Sequence, residues 1–281
     1  MTPQILKLKT LCTTLLGLWL LCNNPSSWAA PPAVILVIDD IGYDYQLGKR
    51  AIALPGAIHY AILPERKNST KLAKLAFQKG KEVLLHAPMS TINGQSPGPL
   101  ALTPALNREN FISTLNQQLA SIPQALGVNN HMGSQLTQLN GPMSWLMSAL
   151  KKRQLYFLDS RTTAETVAQQ QAQLAQLPNL KRDIFLDNSR KPADIRRQFE
   201  KLLSIADKNG HAVAIGHPYP ETLAVLEEYL PSLPLRGYQQ RFVSEFLQLD
   251  RNHCETEILH QIIDSKCTPS LQQLALSNQP Q

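Results

Sequence analysis

From residue 33 onward, the hydrophobic positions of the chain fall into short apolar runs separated by amphipathic segments. The first run, residues 33–38, has six consecutive apolar residues, most of them β-branched, and ends at two adjacent aspartates, Asp39 and Asp40. Such a run is typical of a strand buried on both faces in a parallel sheet. Residues 43–54 then place apolar side chains at helical spacing, which predicts an amphipathic helix.

The same alternation of strand and helix continues along the chain. The pattern predicts further strands at residues 57–63, 81–85, 126–129, 155–158, 182–186 and 212–215, and further helices at residues 69–79, 108–119, 143–153, 166–177, 194–208 and 221–230. Residues 240–247 are a candidate for a last strand. A strict alternation of about seven such units predicts an α/β fold with parallel strands. A parallel sheet built from seven or eight such units closes into a barrel more naturally than it remains an open sheet. We therefore expect a single (β/α) barrel.

No glycine-rich phosphate loop follows any of the predicted strands. The nucleotide-binding doubly wound folds therefore lose their main sequence support. A long segment rich in proline and glycine, residues 87–104, follows the third strand and predicts a functional loop beside that strand end.

The first thirty residues do not fit the strand–helix pattern. Lys7 and Lys9 precede an apolar segment at residues 11–22, and small residues lead to Ala29 and Ala30. This order is typical of a signal peptide that is cleaved after Ala29 or Ala30. The apolar segment is shorter than the roughly 20 residues of a membrane span, so an uncleaved anchor is the weaker alternative.

Removal of residues 1–30 would leave a barrel domain at residues 31–250 and a C-terminal tail at residues 251–281. We expect this mature chain to be periplasmic or otherwise exported, with no transmembrane segment. Two cysteines, Cys254 and Cys267, lie in the tail. In an oxidising compartment they predict one disulfide that ties down the tail, and the alternative is two free thiols.

The net charge of the chain is +6, and its basic residues are scattered without an arginine-rich arm. Nucleic acid is therefore excluded as an expected partner. A mildly basic exported protein still favours anionic polymers or membrane surfaces. No pattern in the sequence indicates a particular protein partner.

The titratable residues that follow the predicted strands are almost all aspartate or histidine. They are Asp39, Asp40, His86, His131, Asp159 with Arg161, Asp187 and His217. The carboxyl ends of parallel strands meet at one rim, so we expect these side chains to converge there. One aspartate and two histidines suit a divalent metal with positions left for water, most simply Zn²⁺, with Mn²⁺, Fe²⁺ or Co²⁺ as alternatives.

The other groups at this rim suit acid–base chemistry. The second carboxylate of the aspartate pair would act as a base toward water, and His217 would protonate a leaving group. Two alternatives remain open. Each histidine taken alone is equally well explained as a hydrogen-bonded rim residue, and the aspartate pair as the start of the following helix, where aspartate is a good N-cap.

Five short motifs carry a resemblance to a known family. They are Val-Ile-Asp-Asp-Ile-Gly at residues 37–42, Leu-His-Ala-Pro-Met at 85–89, Asn-His-Met-Gly-Ser at 130–134, Leu-Asp-Ser-Arg-Thr at 158–162 and Ile-Gly-His-Pro at 215–218. With these motifs the chain resembles the divergent polysaccharide deacetylase family, a relative of the NodB-type carbohydrate esterases, over residues 33–249. The resemblance implies a distorted (β/α) barrel, the NodB-like deacetylase fold. It also implies metal-dependent removal of N- or O-linked acetyl groups from an envelope glycan.

The resemblance also implies roles for individual residues. In NodB-type enzymes the aspartate pair supplies a base and a metal ligand, which corresponds to Asp39 and Asp40. A His-x-x-x-His motif supplies two more ligands there; its first position matches His86, but its second is Ser90 in this chain. We expect His131, at the next strand end, to take the place of the missing ligand because its chemistry is suitable.

The acid of the family's Leu-x-His motif corresponds to His217. Asp159 and Arg161 fall where those enzymes place residues that orient the catalytic groups, and Asp187 is a further supporting candidate. Two functions remain open. The chain is either a deacetylase or a catalytically inactive glycan-binding or accessory protein of the envelope, an alternative that the Ser90 departure favours.

Overall fold

The sheet at the centre of the molecule is parallel throughout. The computed structural model describes residues 30–249, and within that part of the chain nine strands form one sheet. They are β1 (Ala33–Ile41), β2 (Ile58–Ile62), β3 (Glu82–Met89), β4 (Ala125–Met132), β5 (Tyr156–Asp159), β6 (Asn179–Lys181), β7 (Ile184–Phe185), β8 (His211–Gly216) and β9 (Gln239–Gln240). Their order is β6-β5-β4-β3-β2-β1-β8-β7, with β9 beside β1. Residues 1–29 of the expected signal peptide, and the tail with Cys254 and Cys267, lie outside the described residues.

The two ends of this sheet are joined by one short segment of chain. Strand β6 pairs with β5, and β7, which is separated from β6 by two residues, pairs with β8. Between them, the Arg182 amide donates to Asp159 O and the Asp183 amide donates to Val213 O, both at 2.9 Å. The predicted distorted barrel of about seven parallel strands is therefore confirmed. The predicted strand at residues 182–186 is wrong in detail, because the chain divides its hydrogen bonds between two neighbours.

The described residues contain eight α-helices. They are α1 (Tyr45–Ile52), α2 (Ser69–Gln78), α3 (Arg108–Ser121), α4 (Asn140–Lys151), α5 (Ala168–Leu174), α6 (Pro192–Asn209), α7 (Pro220–Tyr229) and α8 (Val243–Phe246). Helix α6 illustrates why they form. It begins with proline at its first position and ends at Gly210, whose φ of 76° suits glycine. Its buried residues recur on one face, which packs against the sheet. Among the described residues, no helix has the length and apolar character needed to cross a bilayer.

The C-terminal part of the barrel differs from the prediction of a strand at residues 240–247. Only Gln239–Gln240 is a strand, and the short helix α8 follows it. Val243 of α8 is buried with side chains from inside the barrel, such as Ile35 and Val213. The apolar residues of this segment fit either period over so short a run, so the pattern alone could not decide between helix and strand.

Candidate metal and acid–base site

Strand β1 brings two adjacent carboxylates to the same side of the sheet edge. Successive side chains of a regular strand point to opposite faces. Here the pairing of β1 with β2 shifts between Ile38 and Ile41, and Asp40 has a left-handed φ of 56°. This bulge lets Asp39 and Asp40 both face His86 on β3, with Asp39 Oδ2 at 3.6 Å and Asp40 Oδ1 at 3.3 Å from its Nε2.

The alternative role of the aspartate pair, as a helix cap, is not what the structure shows. The N-cap of α1 is Asp44, whose carboxylate accepts the Leu47 amide at 2.8 Å. Asp39 and Asp40 lie within β1 itself, four or more residues before that cap. Their side chains therefore contribute to the rim of the barrel, where both face His86.

Three side chains place one ligand atom each at a common centre. Asp40 Oδ1 lies 3.0 Å from His131 Nδ1 and 3.3 Å from His86 Nε2, and the two ring nitrogens are 3.1 Å apart. Tetrahedral ligands 2.0–2.1 Å from Zn²⁺ are about 3.3 Å from one another. The triangle is thus close to the size that a metal ion requires. Strands β3 and β4 run past both histidines to Met89 and Met132, so each imidazole projects from a fixed strand rather than from a loop.

The electrostatics of this triangle also fit a cation. Asp40 Oδ1 is buried, yet none of the described residues offers it an N–H in hydrogen-bond geometry. Burial alone would raise the pKa of Asp40, but His131 and His86 beside it hold that pKa well below its usual range. Burial lowers the pKa of His131, so its imidazole is kept neutral, the form that binds metals. The residues present therefore fit a divalent metal.

Asn129 fixes the orientation of His86, and the sequence analysis did not single it out. Its Nδ2 donates to Asp39 Oδ1 at 2.8 Å, so its Oδ1 is the acceptor for His86 Nδ1, also at 2.8 Å. Because Nδ1 of His86 carries the hydrogen, its Nε2 presents a lone pair to the centre. The signal that could have revealed Asn129 is that it begins a run of polar residues, Asn129 to His131, at the end of an apolar strand.

Asp39 lies next to the ligand triangle without being one of its three members and is suited to accept a proton. Its side chain is almost completely buried, and burial raises its pKa despite the opposing effect of His86 and His217. Asn129 fixes one of its oxygens, and the other faces His86. A buried carboxylate with a raised pKa is a stronger base than an exposed one.

His217 and Asp187 form a hydrogen-bonded pair on another side of the site. Asp187 Oδ1 lies 2.9 Å from His217 Nδ1, and Asp187 Oδ2 accepts the His217 amide at 2.6 Å and the Thr222 hydroxyl at 2.8 Å. Burial alone would lower the pKa of His217, but the bond to Asp187 and the nearby carboxylates raise that pKa to about 9. His217 is therefore positively charged at neutral pH. Its other ring nitrogen, Nε2, points toward Asp40 Oδ2 at 4.0 Å.

The remaining predicted residues lie outside the triangle. Asp159 accepts the Arg161 amide at 2.8 Å and the Thr166 hydroxyl at 3.0 Å, and burial raises its pKa. It stabilises the turn after β5, where Arg161 has a left-handed φ of 48°. The hydroxyl of Ser90 is buried without a hydrogen-bond partner among the described residues.

Tyr219 is a second residue that the sequence analysis missed. Its ring lies 5.5 Å from that of His217, and Arg190 stacks on it at 4.5 Å. Burial, and then the charges of Asp187 and Asp40, raise the pKa of its hydroxyl, which therefore stays protonated. The ring therefore lies beside the His217 imidazole at the rim of the site. Its position directly after Pro218, beyond the last motif, gave no signal of its own.

The chain is similar in sequence and in structure to known proteins. The model of the divergent polysaccharide deacetylase family matches residues 36–247. The chain is 38% identical over 199 residues to the uncharacterized protein YibQ of Escherichia coli K12, a match that covers 71% of this chain and 62% of that protein. It is 36% identical over 205 residues to an uncharacterized protein of Haemophilus influenzae, which covers 73% of each. The crystal structure of the uncharacterized protein ATU2773 from Agrobacterium tumefaciens C58 is similar, with a TM-score of 0.75, 25% identity, and coverage of 79% of this chain and 92% of that one.

Proposed function

The chain belongs to the divergent polysaccharide deacetylase family, and from this premise we propose that it is an exported metal-dependent hydrolase. Its substrate is an N- or O-acetylated polysaccharide of the cell envelope. The observation that carries this proposal is the arrangement of a three-atom ligand triangle with a buried base, Asp39, and a charged acid, His217, beside it. A binding module would have no evident use for all of these groups together.

The ligand triangle would hold the metal. Asp40, His86 and His131 are the proposed ligands, and zinc is the proposed ion because its usual ligands are nitrogen and oxygen atoms in a small set. Manganese, iron and cobalt accept the same donors. When bound, such an ion supplies Lewis acidity and lowers the pKa of water.

The residues around the triangle account for the proton transfers of hydrolysis. Asp39 accepts a proton as water attacks the acyl carbon, and the new carbon–oxygen bond forms. His217 donates its proton to the leaving amine or alkoxide as the carbon–nitrogen or carbon–oxygen bond breaks. Asp187 keeps His217 charged for this step. The products are acetate and a sugar with a free amine or hydroxyl.

The site of action is part of the same proposal. The charged start, apolar segment and small residues of the first thirty positions support export, with cleavage near Ala29 or Ala30 and a periplasmic mature chain. An envelope polysaccharide is the acetylated glycan that such a protein would meet.

The alternative, an inactive glycan-binding or accessory protein, depends on one observation. Ser90 occupies the position where the resemblance places a second histidine, and its hydroxyl is buried without a hydrogen-bond partner among the described residues. Against this, His131 supplies an imidazole nitrogen 3.0 Å from the Asp40 carboxylate. The hydrolase is therefore the better-supported function.

Acetate release distinguishes the two functions. We would load the purified mature chain with zinc and measure acetate released from acetylated envelope glycans, beside the Asp39→Asn and Asp44→Asn variants. We expect Asp39→Asn to lose turnover and keep its zinc, whereas Asp44→Asn, which changes an exposed cap carboxylate, keeps both. Glycan binding without acetate release by the parent protein would establish the accessory function instead.

A further inference from the structure

Arg66 lies beside the metal-site rim, in the loop between β2 and α2. Its Cβ and Cγ lie 3.1 and 3.4 Å from the point where a Cβ on Gly42 would be. Gly42 is two residues beyond Asp40, and its carbonyl accepts the Asn68 amide at 3.2 Å. Since two residues span at most about 7 Å, the backbone that carries Arg66 is a near neighbour of the proposed metal ligand.

The guanidinium of Arg66 is held in place by an aromatic ring and a glycine. Its Cζ lies 4.7 Å from the centre of the Tyr43 ring, a cation–π contact. A Cβ on Gly98, in the long loop after β3, would lie only 2.1 Å from Arg66 Nη2, so any other residue there would displace the guanidinium. Asn68 Nδ2 donates to Tyr43 O at 2.8 Å and fixes the ring's backbone to the same loop.

Arg66 has no counter-charge within residues 30–249. Its guanidinium makes no ion pair or hydrogen bond there, and its Nε is buried without a partner. Five other arginines on the outer helices and their connections are different, because each is paired with a carboxylate: Arg50, Arg190, Arg196, Arg197 and Arg236. A fixed, unpaired guanidinium is the group that proteins use to bind carboxylates and phosphates bidentately.

Tyr43 supplies the rest of a sugar-binding surface. Its side chain is 56% exposed, which is unusual for a large aromatic residue in a folded domain. The ring offers an apolar face to the carbon-bound hydrogens of a sugar, and its hydroxyl can hydrogen-bond. An exposed aromatic ring next to a free cation suits a sugar that carries a negative charge.

We infer that Arg66 and Tyr43 form a subsite for an acidic sugar of the substrate, next to the sugar that is deacetylated. This inference rests on the proposed function and narrows it, because the substrate becomes an anionic acetylated glycan. The shared chemistry is an oxyanion bound by the guanidinium, whether the sugar bears it as a carboxylate or as a phosphate. The positive net charge of the chain is consistent with such a substrate.

Calorimetric binding to three defined oligosaccharides tests the subsite. The probes are an N-acetylglucosamine tetramer, a tetramer that alternates N-acetylglucosamine with glucuronic acid, and the N-acetylglucosamine tetramer phosphorylated at O6. We expect the zinc-loaded mature chain to bind at least one acidic probe more tightly than the neutral one, and the tighter of the two identifies the charged group. Equal binding of all three probes would reject the inference.

Variants separate a specific contact from general attraction. Arg66→Gln should weaken binding of the preferred acidic probe by about tenfold or more, the effect expected when charge-assisted hydrogen bonds are lost. Arg66→Lys keeps the charge but loses the planar guanidinium that can donate two parallel hydrogen bonds. Its affinity for the preferred acidic probe should lie between those of Arg66→Gln and the parent. Arg108→Gln is the matched control, since Arg108 is an exposed arginine at the start of α3 with no ion pair among the described residues. An equal loss in Arg66→Gln and Arg108→Gln would overturn the inference.

The outcome for the subsite is independent of the outcome for catalysis. Binding is measured by heat and not by acetate release. A loss specific to Arg66→Gln in a protein that releases no acetate would support the subsite and reject the hydrolase. Acetate release with no preference for acidic probes would support the hydrolase and reject the subsite. Thermal melting of each variant checks that the fold is kept.

Discussion

Replacing Asp187 with asparagine removes a negative charge from His217 while keeping the shape of the side chain. In the parent protein Asp187 Oδ1 lies 2.9 Å from His217 Nδ1, and the pKa of His217 is raised from 6.5 to about 9. That difference corresponds to about 3 kcal/mol in favour of the charged imidazole. The amide oxygen of an asparagine can still accept from Nδ1, so the orientation of the ring is retained.

The expected result is a fall in the pKa of His217 by about 2.5 units. Because burial alone lowers the pKa of an imidazole, the loss of its main anionic partner should bring the value back near 6.5. An acid must be protonated to act, so acetate release by the parent should decline as the pH rises through about 9. In Asp187→Asn the decline should occur between about pH 6 and 7.

NMR titration of the His217 ring measures this shift directly, in the metal-free and zinc-loaded protein separately. The control is Thr222→Val, which removes a hydrogen bond to Asp187 Oδ2 but leaves the charge, and should change the pKa of His217 much less. A pKa in Asp187→Asn within half a unit of the parent would refute the reasoning. The same pair affects stability: its contribution is fully present below pH 6.5 and is lost as the pH rises through about 9.

Three further results are expected. Asn129→Ala should weaken zinc binding 10- to 100-fold in a chelator competition, because His86 loses the acceptor that fixes its tautomer, while Asn179→Ala, which loses hydrogen bonds away from the site, should leave zinc affinity unchanged. Tyr219→Phe should lower kcat/KM for acetate release about tenfold with unchanged zinc affinity if the phenol contacts substrate, and an unchanged kcat/KM would exclude that contact. Zinc should raise the Tm of the parent in calorimetry and leave that of Asp40→Ala unchanged, since Asp40 supplies the charged ligand; an equal rise in both would place the ion elsewhere.

The sequence predicted the barrel because its strands are short apolar runs in strict alternation with amphipathic helices. It could not predict where the barrel is joined. Residues 182–186 are apolar enough for a strand, but no local pattern states that Arg182 bonds to one neighbour and Asp183 to another. The predicted strand at residues 240–247 was wrong for a related reason. The few apolar positions near Val243 fit both the helical and the strand period.

At the site, strand-end positions predicted that the aspartates and histidines share one rim, the resemblance then indicated Asp40 and His86 as ligands, and chemistry added His131. The structure brings these three residues within 4.8 Å of one another. The detail that allows this arrangement is the left-handed backbone at Asp40, which depends on the register between β1 and β2 and not on residue type alone. The polar character of Asn129 was visible in the sequence, but its role was not, because that role depends on two residues far away in the chain, Asp39 and His86.

The junction between β6 and β7 has a dynamic consequence for His217, the proposed acid. Each of these strands has a single strand neighbour, so their amides should exchange with solvent earlier than those of β1, which pairs on both sides. Asp187 follows β7 by only two residues and reaches His217 from there. Local opening of this junction would carry the carboxylate away from the imidazole without unfolding the barrel. Asp187, which keeps the proposed acid charged, is therefore attached to the part of the sheet that is expected to open most easily.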